Sequence, residues 1–293
     1  MVSPSKYNNI AAVYLQIAFR DRNGYPMGQE TDPDNVVAGT TTAAYLVDGL
    51  VDLVPASPTF PVVTNQGGQK IISKTYLPAT DYGTPTFTLS QRDETLDAYI
   101  KKFSVDTTYN TTRVLRGGNV SQLQFPDFVV IFSIKITESA TGAELWDNYI
   151  YPNAKIINTA DAGAAQITGD VTNPNPLTYA LQLALASRNA DGTLLSAQNM
   201  ALNNNQDAVL YQRATNPLGL TTYVDDNATG TFILGYRPVN TDATGSAQNN
   251  ITVNGVQTAV TSVSVTTGVV TQTAPEASGA IVVATTETNF VAI

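Results

Sequence analysis

Successive side chains of an extended strand point to opposite faces, and a period of two dominates this chain. Leu177, Tyr179, Leu181, Leu183 and Leu185 alternate with Thr178, Ala180, Gln182, Ala184 and Ala186, giving one large apolar face and one small one. Phe132, Ile134 and Ile136 alternate with Ser133, Lys135 and Thr137, and Phe87 and Leu89 with Thr86 and Thr88. These stretches read as half-buried strands, with more expected at Ala11–Arg20, Tyr45–Val54, Lys70–Leu77 and Asn148–Ile157. Phe128–Phe132 carries no polar interruption and is expected to be buried on both faces. The pattern commits the chain to a mainly β fold.

One helix is expected, over about residues 91–103. Ser90 and Asp93 form a capping-box-like pair, Asp93 and Glu94 place negative charge in the first turn, and Lys101 and Lys102 place positive charge in the last. Leu96, Ile100 and Phe103 fall at i, i+4 and i+7, one apolar stripe that packs the helix on a sheet.

Between Val54 and Lys70 the chain runs through Pro55, Pro58 and Pro61 to Gln66, Gly67, Gly68 and Gln69. Prolines at that density resist pairing and the double glycine invites a turn, so an extended loop or long hairpin should project from the sheet. Asn158–Pro176 reads as irregular. At 293 residues two domains are expected. Asn203-Asn204-Asn205 reads as a linker, placing a β core at 1–200 and a second unit at 201–293. In that second unit short β segments recur around Val209–Tyr211, Thr221–Val224, Thr231–Tyr236, Ile251, Val263, Val269 and Ile281–Val283. Asn254-Gly255 is a hairpin signal, and Gly268 and Pro275–Gly279 mark further turns. The result is expected to be a small β-sandwich, dispensable for assembly.

Composition excludes several functions. Lys plus Arg number 15 against 24 Asp plus Glu, net −9, with no basic stripe, so tight phosphate binding is not expected. Charged residues are only 13% of the chain, and a surface built from Thr, Asn, Ser and Gln suits wide, uncharged contacts between subunits. Beyond Lys155 the only cations are Arg188, Arg213 and Arg237. With no cysteine and no histidine, disulfides, thiolate metal sites and the commonest general base are absent. The first twenty residues lack the apolar core of a signal peptide, and no apolar run approaches the roughly 20 residues that span a bilayer. The protein is expected to be made in the cytoplasm, to stay there or leave inside a larger particle, and to touch no membrane.

No catalytic, cofactor or metal site is expected. Asp93 and Asp97 share a helix face as a carboxylate pair could, but capping accounts for Asp93. Asp32-Pro33-Asp34-Asn35 and Asp225-Asp226-Asn227 offer oxygen ligands without the spacing of a calcium loop and read as turns. Glu138, Glu144 and Asp147 flank Thr141-Gly142, the expected tip of a hairpin, and read as solvated hairpin ends. The chain has 14 tyrosines, and Tyr149 and Tyr151 after Trp146 suit core or subunit-interface packing better than a carbohydrate platform.

This order of elements resembles the tail tube (major tail) proteins of long-tailed bacterial viruses. Gln69-Lys70-Ile71-Ile72, then Thr84–Ser90 running into Asp93-Glu94-Thr95-Leu96, is similar to that family's strand followed directly by its single helix. Phe128–Thr137, the Thr141-Gly142 turn and Trp146–Ile157 resemble its paired strands beyond the helix. Val253–Val256 and Thr267–Val270 look like the immunoglobulin-like modules often fused to virion proteins. The resemblance implies a β-sandwich or barrel-like core with one flanking helix, six copies in a ring, and rings stacked into a tube. It implies a virion tail assembled in the host cytoplasm alongside other tail proteins. Pro55, Pro58, Pro61, Gln66, Gly67 and Gly68 would form the arm reaching the neighbouring ring. An acidic wall would let double-stranded DNA pass without holding it. Alternatives are another virion component, such as a capsid decoration or distal tail protein, or a glycan-binding β-sandwich module.

Overall fold

The computed structural model describes residues 7–30, 32–55, 62–67, 70–76, 83–90, 93, 95–96, 100, 104–106, 114–116, 126–158, 177–184, 188–193, 209–228, 230–239 and 249–292. In chain order the first strands are β1 (Tyr7–Phe19), β2 (Thr41–Ala43), β3 (Tyr45–Leu46), β4 (Leu50–Val54), β5 (Val62–Gly67), β6 (Lys70–Tyr76) and β7 (Thr86–Leu89). There follow β8 (Ser104–Asp106), β9 (Val114–Arg116), β10 (Phe128–Glu138), β11 (Glu144–Asn158), β12 (Leu177–Leu183), β13 (Leu210–Ala214) and β14 (Leu218–Val224). The last are β15 (Thr231–Ile233), β16 (Tyr236–Pro238), β17 (Asn249–Val253), β18 (Val256–Gln257), β19 (Val260–Val263), β20 (Val269–Gln272) and β21 (Ile281–Ala292). The fold is mainly β, as the period of two requires.

The largest sheet has eight strands in the order β3-β1-β10-β11-β12-β7-β4, with β13 also pairing β11. A six-stranded sheet runs β18-β17-β21-β14-β2, with β16 on β21, and a three-stranded sheet runs β15-β20-β19. Every pairing between described strands is antiparallel. Tyr45–Val54, expected as one strand, divides into β3 and β4 because Gly49 takes a φ of +74°. Gly142, at φ +72°, closes the β10–β11 hairpin where Thr141-Gly142 was expected to turn. Asn254 and Gly255, at φ +49° and +80°, make the two-residue turn that pairs Val253 with Val256.

Strand parity explains how the three sheets stack. On β10, Phe128, Val130, Phe132 and Ile134 face one apolar cluster together with Leu15, Ile17, Phe87, Leu89, Tyr151 and Tyr179. Val129 and Ile131 point the other way, into a second cluster with Ala18, Ile150, Leu218, Leu220, Val224 and Val283. The uninterrupted Phe128–Phe132 run is therefore buried on both faces, as expected. The six-stranded sheet repeats the device. Val283 faces the second cluster, while Val282 and Ala284 face a third, with Tyr223, Phe232, Ile251, Val260 and Val270.

The third cluster draws only on residues beyond 222, so the six- and three-stranded sheets face each other around a core of their own. The second cluster binds that pair to the rest. The junction expected at 200/201 lies outside the described residues, but strands from beyond it pair with strands before it: β13 with β11, and β14 with β2. Two strand pairings thus cross the expected junction. Parting the layers would expose Val129, Ile131 and Ile150 on one side and Leu218, Leu220, Val224 and Val283 on the other. At about 1.5–3 kcal/mol per large apolar side chain, that is on the order of 10 kcal/mol, comparable to the whole stability of a typical domain.

Of the helix expected over 91–103, only Asp93, Thr95, Leu96 and Ile100 are described. Asp93 Oδ1 accepts from the amides of Thr95 at 2.9 Å and Leu96 at 3.1 Å. Accepting amides at i+2 and i+3 is the work of a cap residue, so Asp93 takes the role that the sequence suggested for Ser90. Leu96 and Ile100 are buried in the first cluster, while Phe103 lies outside the described residues.

Candidate functional site

The projecting segment expected after Val54 contains a hairpin. Strands β5 and β6 form a two-stranded sheet that pairs with no other described strand, and Gln66 and Gly67 stand opposite Ile71 and Lys70. Pro55 follows β4 directly, whereas Pro58, Pro61 and Gly68 lie outside the described residues. Strands β8 and β9 make a second two-stranded ribbon. An isolated two-stranded ribbon is marginal in water and gains stability when something covers it.

An open edge accompanies the ribbons. Strand β1 is paired along one side by β10 over Tyr7–Asn9 and Val13–Phe19, with a register shift between, but on the other side by β3 only at Gln16 and Ile17. No described strand covers the outer edge of β1 over Tyr7–Tyr14. A long strand edge of this kind offers a row of backbone donors and acceptors to another chain.

Next to the β10–β11 hairpin lies a polar patch that local sequence patterns missed. The pairing of β11 with β13 sets Asp147 opposite Arg213 and Tyr149 opposite Tyr211. Arg213 Nε donates to Asp147 Oδ1 at 2.7 Å and Nη2 to Oδ2 at 3.2 Å, a two-point grip on the carboxylate. Arg213 Nη2 also donates to the Tyr211 hydroxyl at 2.7 Å, and that hydroxyl donates to Asp147 Oδ1 at 2.6 Å. Asp147 is therefore no solvated hairpin end, since its side chain is only 13% exposed. Burial first, then the hydrogen bond and charge of Asp147, push the Tyr211 hydroxyl up to about 12. Burial and the charge of Asp147 raise Tyr149 as well. A phenol held this firmly in its protonated form is a poor base or nucleophile. The Tyr211 ring is 51% exposed and lies 5.4 Å from the Tyr149 ring. Tyrosine and arginine are the residues most often found at the energetic centres of protein contacts.

The other residues singled out in the sequence have structural duties. Tyr151 is fully buried in the first cluster, and Trp146 stacks on Tyr14 at 5.3 Å. The Asp32 carboxylate accepts from Asn35 Nδ2, and Asp34 accepts the Arg22 amide at 2.7 Å, as expected of a solvated turn. Asp225 departs from the expected solvated turn. It is fully buried, and its carboxylate accepts the amides of Asn227 at 2.7 Å and Glu276 at 3.3 Å, joining two loops. Glu144 pairs with Lys135 at 2.6 Å, and Glu138 accepts from the Thr141 hydroxyl at 2.6 Å. Among the described residues, no three acidic side chains stand together as a metal site would require.

Comparison with known proteins identifies no relative: no protein-family model matches the chain, and neither a curated protein nor a solved structure is significantly similar.

Proposed function

We propose that this chain is a structural virion protein that assembles into the tail tube of a long-tailed bacterial virus. Six copies close into a ring, the rings stack, and double-stranded DNA passes through without being held. The supporting observation is the outer edge of β1, without a described partner over Tyr7–Tyr14, where only the two-residue β3 lies beyond it in an eight-stranded antiparallel sheet. A neighbouring copy that pairs with this edge removes it from solvent, and repeating the contact around a symmetry axis closes a ring. The β5–β6 ribbon, with Gln66 and Gly67 paired to Ile71 and Lys70, is the arm toward the next ring, the role the resemblance gives to Pro55, Pro58, Pro61, Gln66, Gly67 and Gly68.

The finer features of the fold belong to the same reading. Asp93 caps the flanking helix and Leu96 and Ile100 give its packing face, and the two sheets around the third cluster form the immunoglobulin-like module. A net charge of −9 per subunit keeps the conduit from adhering to phosphates. The protein acts as scaffold and catalyses nothing. Sedimentation velocity on the purified 31.1 kDa chain tests the assembly step. Species of six subunits and multiples of six are expected as concentration rises, whereas a single monomer at every concentration overturns the reading.

A further inference from the structure

The sequence holds two Asn-Gly pairs, Asn23-Gly24 after β1 and Asn254-Gly255 between β17 and β18. Asparagine before glycine is the pair most prone to cyclise, because glycine has no Cβ to hinder attack by its own amide nitrogen. Both asparagines are exposed, yet the fold treats the two pairs differently.

At the first pair the attacking atom is engaged. The Gly24 amide donates to the Asp21 carbonyl at 3.1 Å, and Gly24 is buried. Asp21 also holds the asparagine: its carboxylate accepts from the Asn23 amide at 3.0 Å and from Asn23 Nδ2 at 3.4 Å.

At the second pair the geometry favours reaction. The hairpin ladder pairs Thr252 with Gln257 and Val253 with Val256, which leaves the Gly255 amide outside it. Asn254 Oδ1 accepts from the Ile281 amide at 2.9 Å. A donor on that oxygen polarises Cγ and favours the negative charge that develops there when a nucleophile adds.

We propose that Asn254 is a self-modification site, where the folded chain deamidates without an enzyme, while Asn23 is protected. The Gly255 nitrogen attacks Asn254 Cγ and the N–Cγ bond forms. The Cγ–Nδ2 bond breaks, and Nδ2 leaves as ammonia with the proton that the Gly255 nitrogen has lost. Water then opens the succinimide ring at one of its two carbonyls. Opening at Cγ gives aspartate, and opening at the backbone carbonyl gives isoaspartate, with the chain rerouted through Cβ and Cγ.

The two products act differently on the hairpin. Aspartate before glycine suits the same two-residue turn. Isoaspartate lengthens the backbone by one methylene where there is little slack. A Cβ on Gly255 would stand 2.3 Å from the Gly192 carbonyl oxygen and 2.7 Å from Arg188 Nη1. The longer turn must shift against the 188–193 loop and strain the bond from the Asn254 amide to the Ile281 carbonyl at 2.8 Å. The reaction is a slow, one-way change at this seam. It needs no second copy of the chain and does not rest on the assembly reading.

The test is to age the purified full-length protein in neutral buffer and follow both positions by digestion and mass spectrometry, resolving asparagine, aspartate and isoaspartate. In the folded protein Asn254 should convert at least tenfold faster than Asn23, with ammonia released in step. In denaturing urea the two rates should draw together, because the bonds that protect Asn23-Gly24 are gone. An Asn254 that stays intact as the protein ages, or equal rates at both positions in the folded protein, overturns the proposal. A tenfold difference that persists in urea overturns it too, since its cause would then lie in the neighbouring sequence.

Discussion

Gln16 Oε1 accepts a hydrogen bond from the Leu220 amide at 3.2 Å, and the same side chain donates from Nε2 to the Leu218 carbonyl. A side-chain amide on β1 thus serves the backbone of β14 as another strand would, inside a layer where Gln16 is only 1% exposed. Asn148 adds to the link: its Oδ1 accepts from Ser133 Oγ at 2.6 Å and from the Leu218 amide at 3.4 Å. Thr222 contributes a bond from its hydroxyl to the Pro26 carbonyl at 2.8 Å. The two large sheets are joined by directional bonds as well as by apolar packing.

Gln16→Leu should therefore destabilise the protein although it replaces a polar core residue by an apolar one. It leaves the Leu220 amide and the Leu218 carbonyl buried without this partner, at about 1–3 kcal/mol for each group. Urea denaturation monitored by fluorescence should show a lower midpoint with an unchanged slope. A midpoint equal to that of the parent would mean that the bonds contribute nothing.

Ending the chain at residue 200 should leave a fragment without a cooperative unfolding transition. Ala18, Val129, Ile131 and Ile150 would lose their cover from Leu218, Leu220 and Val283, and β2 would lose β14. Circular dichroism with thermal melting and a proton–nitrogen correlation spectrum check this. Dispersed resonances and a sharp melt would show that the first 200 residues pack by themselves.

Stability should decline at high pH in a defined window. Tyr211 and Tyr236 are pushed up to about 12, each chiefly by burial, against about 10 for an unfolded tyrosine. Between those values the folded chain binds more protons than the unfolded one. The stabilisation is thus fully present below about pH 10 and is lost as pH rises towards about 12. Absorbance at 295 nm should show late-titrating tyrosines, Tyr211 and Tyr236 among them, and denaturation midpoints should fall across that interval. In Tyr211→Phe one late titration should disappear.

Much of the fold could be read from the sequence because its signals are local. Phe128–Phe132 announced a strand buried on both faces, Phe87 and Leu89 a half-buried one, and Asn254-Gly255 a tight hairpin, each within a few residues. The patch could not be read this way. Asp147 and Tyr211 are 64 residues apart, and nothing in either segment encodes that β13 lands beside β11. Asp225 misled for a related reason: an Asp-Asp-Asn run signals a turn, but only the partner loop at Glu276 decides that its first carboxylate is buried. The C-terminal third was half legible. Its strands and turns are where the sequence put them, yet a second face of the six-stranded sheet packs on the first sheet, and single-strand periodicity does not name its partner.

Deleting Thr59–Gly68, which removes the whole of β5, should spare the fold and abolish stacking. The ribbon pairs with no other described strand, so the sheet stack loses no described pairing. A melting temperature within a few degrees of the parent, with ring-sized particles but no longer assemblies by light scattering, is the expected outcome. Long assemblies formed by the deleted protein would remove the ribbon from the inter-ring contact.

Negative-stain electron microscopy of the purified full-length protein, at the concentrations where it sediments as a large species, tests assembly most directly. Rings with sixfold symmetry and a central channel, stacking end to end into tubes of uniform width, are expected. Uniform single-subunit particles under every condition would contradict the account.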